Sequence, residues 1–170
     1  IEWATKVLSS PEDVQNFGKY AEKSDETTWR ATGKPIYKYD GYFILDRNID
    51  LTGVTLTTDY VSGWTSGEMN VNPSQYGFTG TFDGRGYALI GGTFSQGGMF
   101  GAVAASGTVK NTAFIDCVLD KPDSMDDTNC SAVIGSMLAG TVDNCLFDIV
   151  SKTGESGPYH GIARHCLGGT

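Results

Sequence analysis

A short pattern that recurs in the second half of the chain limits what this protein can fold into. Gly-Thr-Val-x-Asn occurs at residues 107–111 and again at 140–144, each time after a run of small apolar residues. A third, partial copy begins at Gly161 and stops at Thr170. Because one short strand cannot bury its apolar face alone, repeated strands must lie side by side and cover one another. The pattern therefore predicts a solenoid, a class of fold that usually binds or spans rather than catalyses.

The composition fits many short strands joined by glycine-containing turns. The chain has 170 residues, which suits one domain with a core of its own. It contains 23 glycines, about twice the average usage, without the Gly-X-Y period of collagen. Hydrophobic residues make up 39% of the chain, which excludes a disordered composition.

The charge distribution excludes several classes of partner. The formal net charge is −8, and the 12 basic residues are scattered without a cluster, so neither nucleic acid nor an acidic membrane surface is predicted as a partner. No run approaches the roughly 20 apolar residues of a membrane helix, so we predict no membrane insertion in this chain. Because the chain starts at Ile1 and the third copy breaks off at Thr170, we expect further rungs beyond it and a larger multidomain protein.

The four cysteines do not predict a metal site. They are Cys117, Cys130, Cys145 and Cys166, and none forms a Cys-x-x-Cys pair. A structural zinc ion needs four clustered ligands, so we predict neither a thiolate metal site nor a cofactor. Cys117 and Cys145 lie in apolar strands and are predicted to be small buried side chains. The sequence leaves open whether Cys117 and Cys130 form a disulfide.

The first part of the chain has a different character from the repeats. Residues 1–41 are predicted to form an N-terminal cap that contains a helix over about 11–22. Ser10 can cap this helix, Pro11 suits its first position, and apolar residues follow at helical spacings of 3 and 4. Residues 42–170 are predicted to form the successive rungs.

Aligning the two complete copies predicts which residues face the interior. Asn111 and Asn144 fall at strand corners, where asparagine tolerates a left-handed backbone and its amide can bond to the neighbouring copy. If the same sequence offset relates every residue of the first copy to its equivalent in the second, each rung has one set of inward residues. The two sets are Val109, Phe114 and Cys117, then Val142, Phe147 and Val150.

Several further segments match one bacterial pattern in the right order. They are Ser10–Val14 with Phe17, Tyr42–Leu51, the Phe-Thr-Gly-Thr-Phe-Asp-Gly-Arg-Gly of Phe78–Gly86, Gly98–Gly101, and the Gly-Thr-Val-x-Asn strands. Together they resemble the GLUG-type repeat domains of bacterial surface proteins. The chain departs from that pattern at Asn48, where the family has Asp, and at Val133-Ile134-Gly135, where it has Gly-Leu-Phe-Gly. These changes preserve apolar or turn character.

This resemblance implies an all-β fold, a right-handed parallel β-helix (solenoid) with a short N-terminal capping helix. It also implies a secreted or cell-surface bacterial protein, so the expected function is that of a non-catalytic extracellular module for cell adhesion. The expected partner is a host surface protein or a glycan. Two alternatives stay open: a carbohydrate-active β-helix enzyme (a lyase or glycosidase) and a structural spacer of a surface protease. No catalytic residue follows from the family.

Three carboxylates are the candidates for sugar chemistry. Glycosidases use two carboxyl groups about 5–9.5 Å apart, and Asp46, Asp50 and Asp83 could supply them. Asp50 and Asp83 also suit turn and ladder hydrogen bonding, which we favour. His165 and Cys166 are sequence neighbours in a predicted strand and point to opposite faces, which opposes a catalytic dyad.

Two loops contain the remaining candidates. Calcium takes 6–8 oxygen ligands, and the loop at 120–129 offers the carboxylates of Asp120, Asp123, Asp126 and Asp127. A solvated acidic loop is the favoured interpretation, because the spacing is not that of an EF-hand. On the long excursion at 52–77, Tyr60 and Trp64 are aromatic candidates for binding a sugar or a protein.

Overall fold

The computed structural model describes residues 3–28, 35–56, 77–95, 98–120, 133–152 and 162–168. Two short helices lie near the start, α1 (Pro11–Gln15) and α2 (Phe17–Tyr20), in place of one helix over 11–22. The predicted cap is present, because the backbone N–H of Asp13 donates to Ser10 Oγ at 3.1 Å. The helical stretch is divided at Asn16, whose backbone leaves the helical region with φ of −101° and ψ of 6°, and whose side-chain amide adds a bond to the Glu12 carbonyl at 2.9 Å.

Seventeen strands in the described ranges form three sheets. The first sheet has five strands, all parallel to their neighbours. In spatial order they are β1 (Lys6–Leu8), β4 (Tyr42–Leu45), β8 (Thr81–Asp83), β12 (Thr108–Lys110) and β15 (Thr141–Asp143). Sequence-distant strands therefore lie side by side, as short apolar strands must to bury their faces.

The second sheet is also parallel and is built around its longest strand. Its strands in spatial order are β5 (Ile49–Asp50), β9 (Ala88–Ile90), β13 (Ala113–Leu119), β10 (Thr93–Phe94) and β6 (Thr55–Leu56). A further strand, β16 (Leu146–Ser151), also pairs with β13. The long strand β13 therefore pairs with the two short strands β9 and β10, and also with β16.

The third sheet is mixed. In spatial order its strands are β17 (Ala163–Gly168), β14 (Ile134–Leu138), β11 (Phe100–Val103), β7 (Gly77–Phe78), β3 (Pro35–Asp40) and β2 (Glu22–Thr28). The pair β2–β3 is antiparallel, whereas the other pairs in this sheet are parallel. The antiparallel pair is local in sequence, because β2 and β3 are consecutive strands of the chain.

The predicted fold class, an all-β right-handed parallel β-helix, is therefore wrong. The described chain is an α/β-type stack of several mostly parallel sheets, one of them mixed, with two short helices, and not a single solenoid. The error has a physical reason. A repeat establishes which strands lie side by side, because equivalent strands bury equivalent faces. It does not establish how the intervening strands are distributed among sheets.

A cluster of phenylalanines forms the centre of the core. Phe17 of α2 contacts four rings at centroid distances of 5.3 to 6.1 Å, mostly edge to face. These partners are Phe43, Phe78, Phe82 and Phe100. All five rings are buried, and they come from a helix and from two of the three sheets. The short helix α2 is thus anchored by one aromatic side chain.

The two complete repeat copies do lie side by side. We call residues 107–119 the first copy and residues 140–151 the second copy. Val109 pairs with Val142 in the first sheet, and Phe114 pairs with Phe147 in the second. The rings of Phe114 and Phe147 are stacked at 5.0 Å and 5°. The predicted side-by-side arrangement of the copies is confirmed.

The constant offset between the copies fails after Phe114. The register shifts between Phe114 and Cys117, so Cys117 pairs with Ile149 and not with Val150. Asp116 has a left-handed backbone with φ of 51° and is the extra residue of a bulge. Val150 consequently faces outward and is 58% exposed. Its predicted inward position is wrong, because a one-residue slip moves a side chain to the other face.

Candidate functional site

Three left-handed residues mark one corner of the stack, between the first and second sheets. Arg85, Asn111 and Asn144 have φ of 54°, 52° and 49°, and each lies just after a strand of the first sheet. The strands they follow are β8, β12 and β15, which are neighbours. Asparagine tolerates this backbone better than most residues, because its short side chain can form local hydrogen bonds. The chain therefore turns at the same place in successive strands.

Side chains at this corner form a continuous row of hydrogen bonds. The amide nitrogen of Asn144 donates to Asn111 Oδ1 at 2.8 Å. The amide nitrogen of Asn111 donates in turn to Asp83 Oδ1 at 3.0 Å. We call Asp83, Asn111 and Asn144 the corner ladder. Its first link confirms the predicted bond between the amides of neighbouring copies.

Asp83 is the charged end of the corner ladder. Its carboxylate also accepts the backbone N–H of Arg85 at 2.9 Å, lies 3.5 Å from Lys110 Nζ and accepts the Tyr42 hydroxyl at 3.5 Å. Burial alone would raise the pKa of Asp83. The hydrogen bonds from Asn111 and Arg85 and the charge of Lys110 outweigh burial and hold this pKa below its usual value. Asp83 is therefore an ionised group that ties neighbouring strands together.

A shallow groove of about 260 Å³ lies beside the corner ladder. Its lining consists of Gly86, Asn111, Thr112, Ala113, Asn144, Cys145 and Leu146. Asn144 is exposed, and Leu146 is 58% exposed, so both can meet a ligand. The Thr112 hydroxyl is buried and donates to the Lys110 carbonyl at 2.8 Å. We call this feature the corner groove.

The thiol in the corner groove is not an activated nucleophile. Burial raises the pKa of the Cys145 thiol, so it stays protonated near neutral pH. Its sulfur donates to the backbone carbonyls of Val109 and Asp143, at 3.6 and 3.3 Å. Burial likewise raises the pKa of Cys117, whose free thiol is fully buried. Cys130, the other half of the disulfide left open above, lies outside the described residues.

The other two candidate carboxylates serve local contacts. Asp46 accepts hydrogen bonds from Arg47 at 3.0 and 3.2 Å, and this guanidinium holds the pKa of Asp46 below its usual value. Asp50 accepts the backbone N–H of Thr52 at 2.9 Å, and hydrogen bonds from Thr52 lower its pKa as well. The favoured interpretation of Asp50 and Asp83 as turn and ladder residues is therefore confirmed.

Only some residues of the other predicted sites lie within the described ranges. Tyr60 and Trp64 lie outside the described residues, as do three carboxylates of the acidic loop, Asp123, Asp126 and Asp127. The fourth, Asp120, forms an ion pair with Lys152 at 3.2 Å. Nowhere in the described ranges do three or more His, Cys, Asp or Glu side chains form a group that could hold a metal ion. His165 and Cys166 are adjacent in β17, where their backbones pair with Ser136 and Met137.

The groove itself was not predicted from the sequence. The recurring Asn111 and Asn144 indicated a corner, and Gly86 is the last residue of the segment Phe78–Gly86 that carries part of the family resemblance. A usable signal was the apolar Leu146, two residues after an asparagine corner and next to the inward Phe147, in a position where alternation favours a polar residue.

Comparison with known proteins gives no match. No family model matches the chain, and neither a curated protein nor a solved structure does. Neither helix in the described part of the chain has the length and apolar character needed to cross a membrane.

Proposed function

We propose that this chain is a non-catalytic extracellular binding module of a bacterial cell-surface protein, and that the corner groove binds a glycan. The observation that supports this proposal is the open end of the corner ladder. Both ladder bonds run towards Asp83, so the side-chain oxygen of Asn144, a residue that lines the groove, takes part in neither bond and can accept a further hydrogen bond. The extracellular and bacterial parts of the proposal rest on the resemblance to GLUG-type repeats.

The chemistry of the groove suits a sugar. Sugars present hydroxyl groups around an apolar ring face, so their sites combine amide or hydroxyl groups with apolar contacts. Here Asn144 supplies the amide, and Leu146 supplies an exposed apolar side chain two residues later. The ladder also polarises Asn144, because each amide donates towards the carboxylate of Asp83. A sugar hydroxyl that donates to Asn144 would extend this row.

Binding without hydrolysis is favoured over the carbohydrate-active enzyme. Glycoside hydrolysis needs a carboxylic acid with a raised pKa and a second carboxylate close by. The pKa values of Asp46, Asp50 and Asp83 are all held below their usual value, the opposite direction. The described lining of the corner groove consists of amide, hydroxyl, thiol and apolar groups and includes no carboxylate.

A glycan array probed with the labelled chain tests the proposal. We expect binding to a subset of the arrayed glycans, and at least about tenfold weaker binding by Asn144→Gly and by Leu146→Ala. Glycine keeps the left-handed backbone that Asn144 needs. Val150→Ala is the matched control, since Val150 is on the same strand, has the same 58% exposure and is outside the groove. Unchanged binding by both groove variants would overturn the site.

A second assay addresses catalysis directly. The chain, incubated with each glycan that it binds, should release no reducing ends and no unsaturated products. Reproducible turnover that is lost in Asp83→Asn or Asp50→Asn, while circular dichroism shows an intact fold, would overturn the non-catalytic assignment. Failure to bind any arrayed glycan would overturn the glycan proposal.

A further inference from the structure

The outer surface of the second sheet has several apolar side chains on β13 and β16. The apolar residues of β13 and β16 that point away from the core are Ala113, Ile115, Val118, Leu146 and Val150, and we call them the apolar face. Leu146 and Val150 are each 58% exposed. Burial along β16 alternates because Phe147 and Ile149 point inward, so the outward direction of Leu146 and Val150 follows from the strand geometry.

Three neighbouring strands of the first sheet, β8, β12 and β15, provide a comparison. At equivalent positions these strands place Thr81, Thr108 and Thr141 in register on the outer side. Threonine suits a strand and can hydrogen bond to water. The second sheet instead exposes Leu146 and Val150, next to the half-buried Ala113, Ile115 and Val118. Apolar side chains grouped on a surface in this way are candidates for an interaction site.

Two carboxylates lie within the apolar face. The register shift at the bulge places Ile115 and Asp116 of β13 opposite Asp148 of β16. Both aspartates are exposed, and neither takes part in an ion pair with another described residue. Both lie close to Cys117 in this register. Burial is the main cause that raises the pKa of the Cys117 thiol, and the negative charges of the two aspartates add to it. Among the described residues, the negative centre that Asp116 and Asp148 form has no ion-pair partner.

The spacing of these groups defines the chemistry of a partner. Leu146, Asp148 and Val150 alternate along one side of β16, so two apolar side chains about 13 Å apart flank a carboxylate at the midpoint. An extended segment also projects every second side chain to one side, with the same spacing. A positive side chain between two apolar ones matches this surface in both charge and spacing.

We propose that the apolar face is a docking surface for an extended segment of a partner protein that presents Lys or Arg between two apolar side chains. The cation faces Asp148 and Asp116, and its apolar neighbours cover Leu146 and Val150. This surface differs from the corner groove in the chemistry it recognises. The two share Leu146, and Val150 belongs to the apolar face alone.

Paired synthetic peptides provide the test. One fluorescent probe has the pattern Val-Thr-Lys-Thr-Val, and its partner has Glu in place of Lys. We expect the Lys probe to bind at least about tenfold more tightly than the Glu probe in fluorescence anisotropy at low salt. The double variant Asp116→Asn, Asp148→Asn should lose this preference, and Val150→Ser should weaken binding of the Lys probe. Asp143→Asn, which removes an exposed charge from the first sheet, should retain the preference.

Several outcomes would overturn the proposal. They are equal binding of the two probes, no binding of the Lys probe, and Val150→Ser binding as tightly as the unmodified chain. Analytical ultracentrifugation tests whether a second copy of the chain occupies the face instead. A dimer that dissociates in Val150→Ser would assign the face to a second copy and overturn the proposal. Because Val150→Ser leaves the corner groove intact, glycan binding by this variant separates failure here from failure of the glycan proposal.

Discussion

In the first repeat copy Phe114 is completely buried, whereas its partner Phe147 in the second copy is only half-buried, although the two rings are stacked on each other. The difference lies in their neighbours. The first copy has paired strands on both sides, β8 and β9 on one and β15 and β16 on the other. Among the described strands, β15 and β16 pair on one side only. One sequence pattern therefore contributes differently to stability according to its place in the stack.

The largest expected difference between the copies is at these phenylalanines. Phe114→Ala should lower the free energy of unfolding by about 3–5 kcal/mol, as a buried truncation leaves a cavity. Phe147→Ala should cost only about 1–2 kcal/mol, because less apolar area is withdrawn from water there. Urea unfolding of both variants measures the difference. Equal costs would show that the second copy is as well covered as the first.

The glycine that opens each copy gives a second comparison. A Cβ at Gly107 would collide first with the backbone carbonyl of Phe78, which cannot move without breaking strand pairing. A Cβ at Gly140 would meet first a methyl group of Val103, a side-chain atom that can shift. We expect Gly107→Ala to cost about 1–3 kcal/mol and Gly140→Ala to cost less.

Gly86→Ala separates the collision from backbone strain. At Gly86 no atom lies within 4 Å of the added Cβ, but φ is +87°. Its cost, about 1 kcal/mol, should therefore reflect only the left-handed backbone. If Gly107→Ala costs no more than Gly86→Ala, the close approach of the first copy to Phe78 does not restrict this position.

The asparagine corners should differ by a smaller amount. Asn111→Gly removes both the bond to Asp83 and the acceptor for Asn144, and should cost about 1–2 kcal/mol. Asn144→Gly removes one exposed bond and should cost about 0.5 kcal/mol. Glycine is the right replacement because both positions have positive φ. Thermal unfolding of the two variants measures these costs. A larger loss of stability in Asn144→Gly than in Asn111→Gly would contradict the described direction of the ladder.

The smallest expected effect is a change in acid sensitivity. The pKa of Asp83 is lower in the folded protein than the value of about 3.9 for an unfolded aspartate. Between these values the unfolded state binds more protons, so the stabilisation is complete above about pH 5 and is lost as the pH falls through the folded pKa. Asp83→Asn should therefore reduce the loss of stability on acidification. Urea unfolding across this range measures it, and identical acid profiles would contradict the role of Asp83.

Much of the pairing could be predicted from the sequence. The repeated Gly-Thr-Val-x-Asn pattern correctly placed Val109 beside Val142, because equivalent strands cover equivalent faces. Ser10 and Pro11 correctly marked the start of a helix. The end of that helix was not predictable from apolar spacing, because the apolar pattern continues past Asn16, where the backbone leaves the helical conformation.

The fold class and the groove required the three-dimensional structure. Local periodicity at Glu22–Thr28 and Pro35–Asp40 does not show that these strands pair antiparallel and extend the third sheet. The corner groove depends on residues from three turns that meet only through long-range pairing. Among the site residues, Asn111, Asn144 and Asp83 could be predicted because each has a local turn role as well.

The bulge at Asp116 has a consequence for changes in chain length. Between Phe114 and Cys117 the first copy has one residue more than the second has between Phe147 and Ile149, yet all four side chains point inward. A chain with Asp116 deleted would keep the inward and outward sets of β13 on their present faces. A one-residue deletion in the strand outside the bulge of Ile115 and Asp116 would reverse the faces beyond it. Asp116 is therefore the position in this strand where a deletion is best tolerated, and where an alignment of the two copies needs its gap.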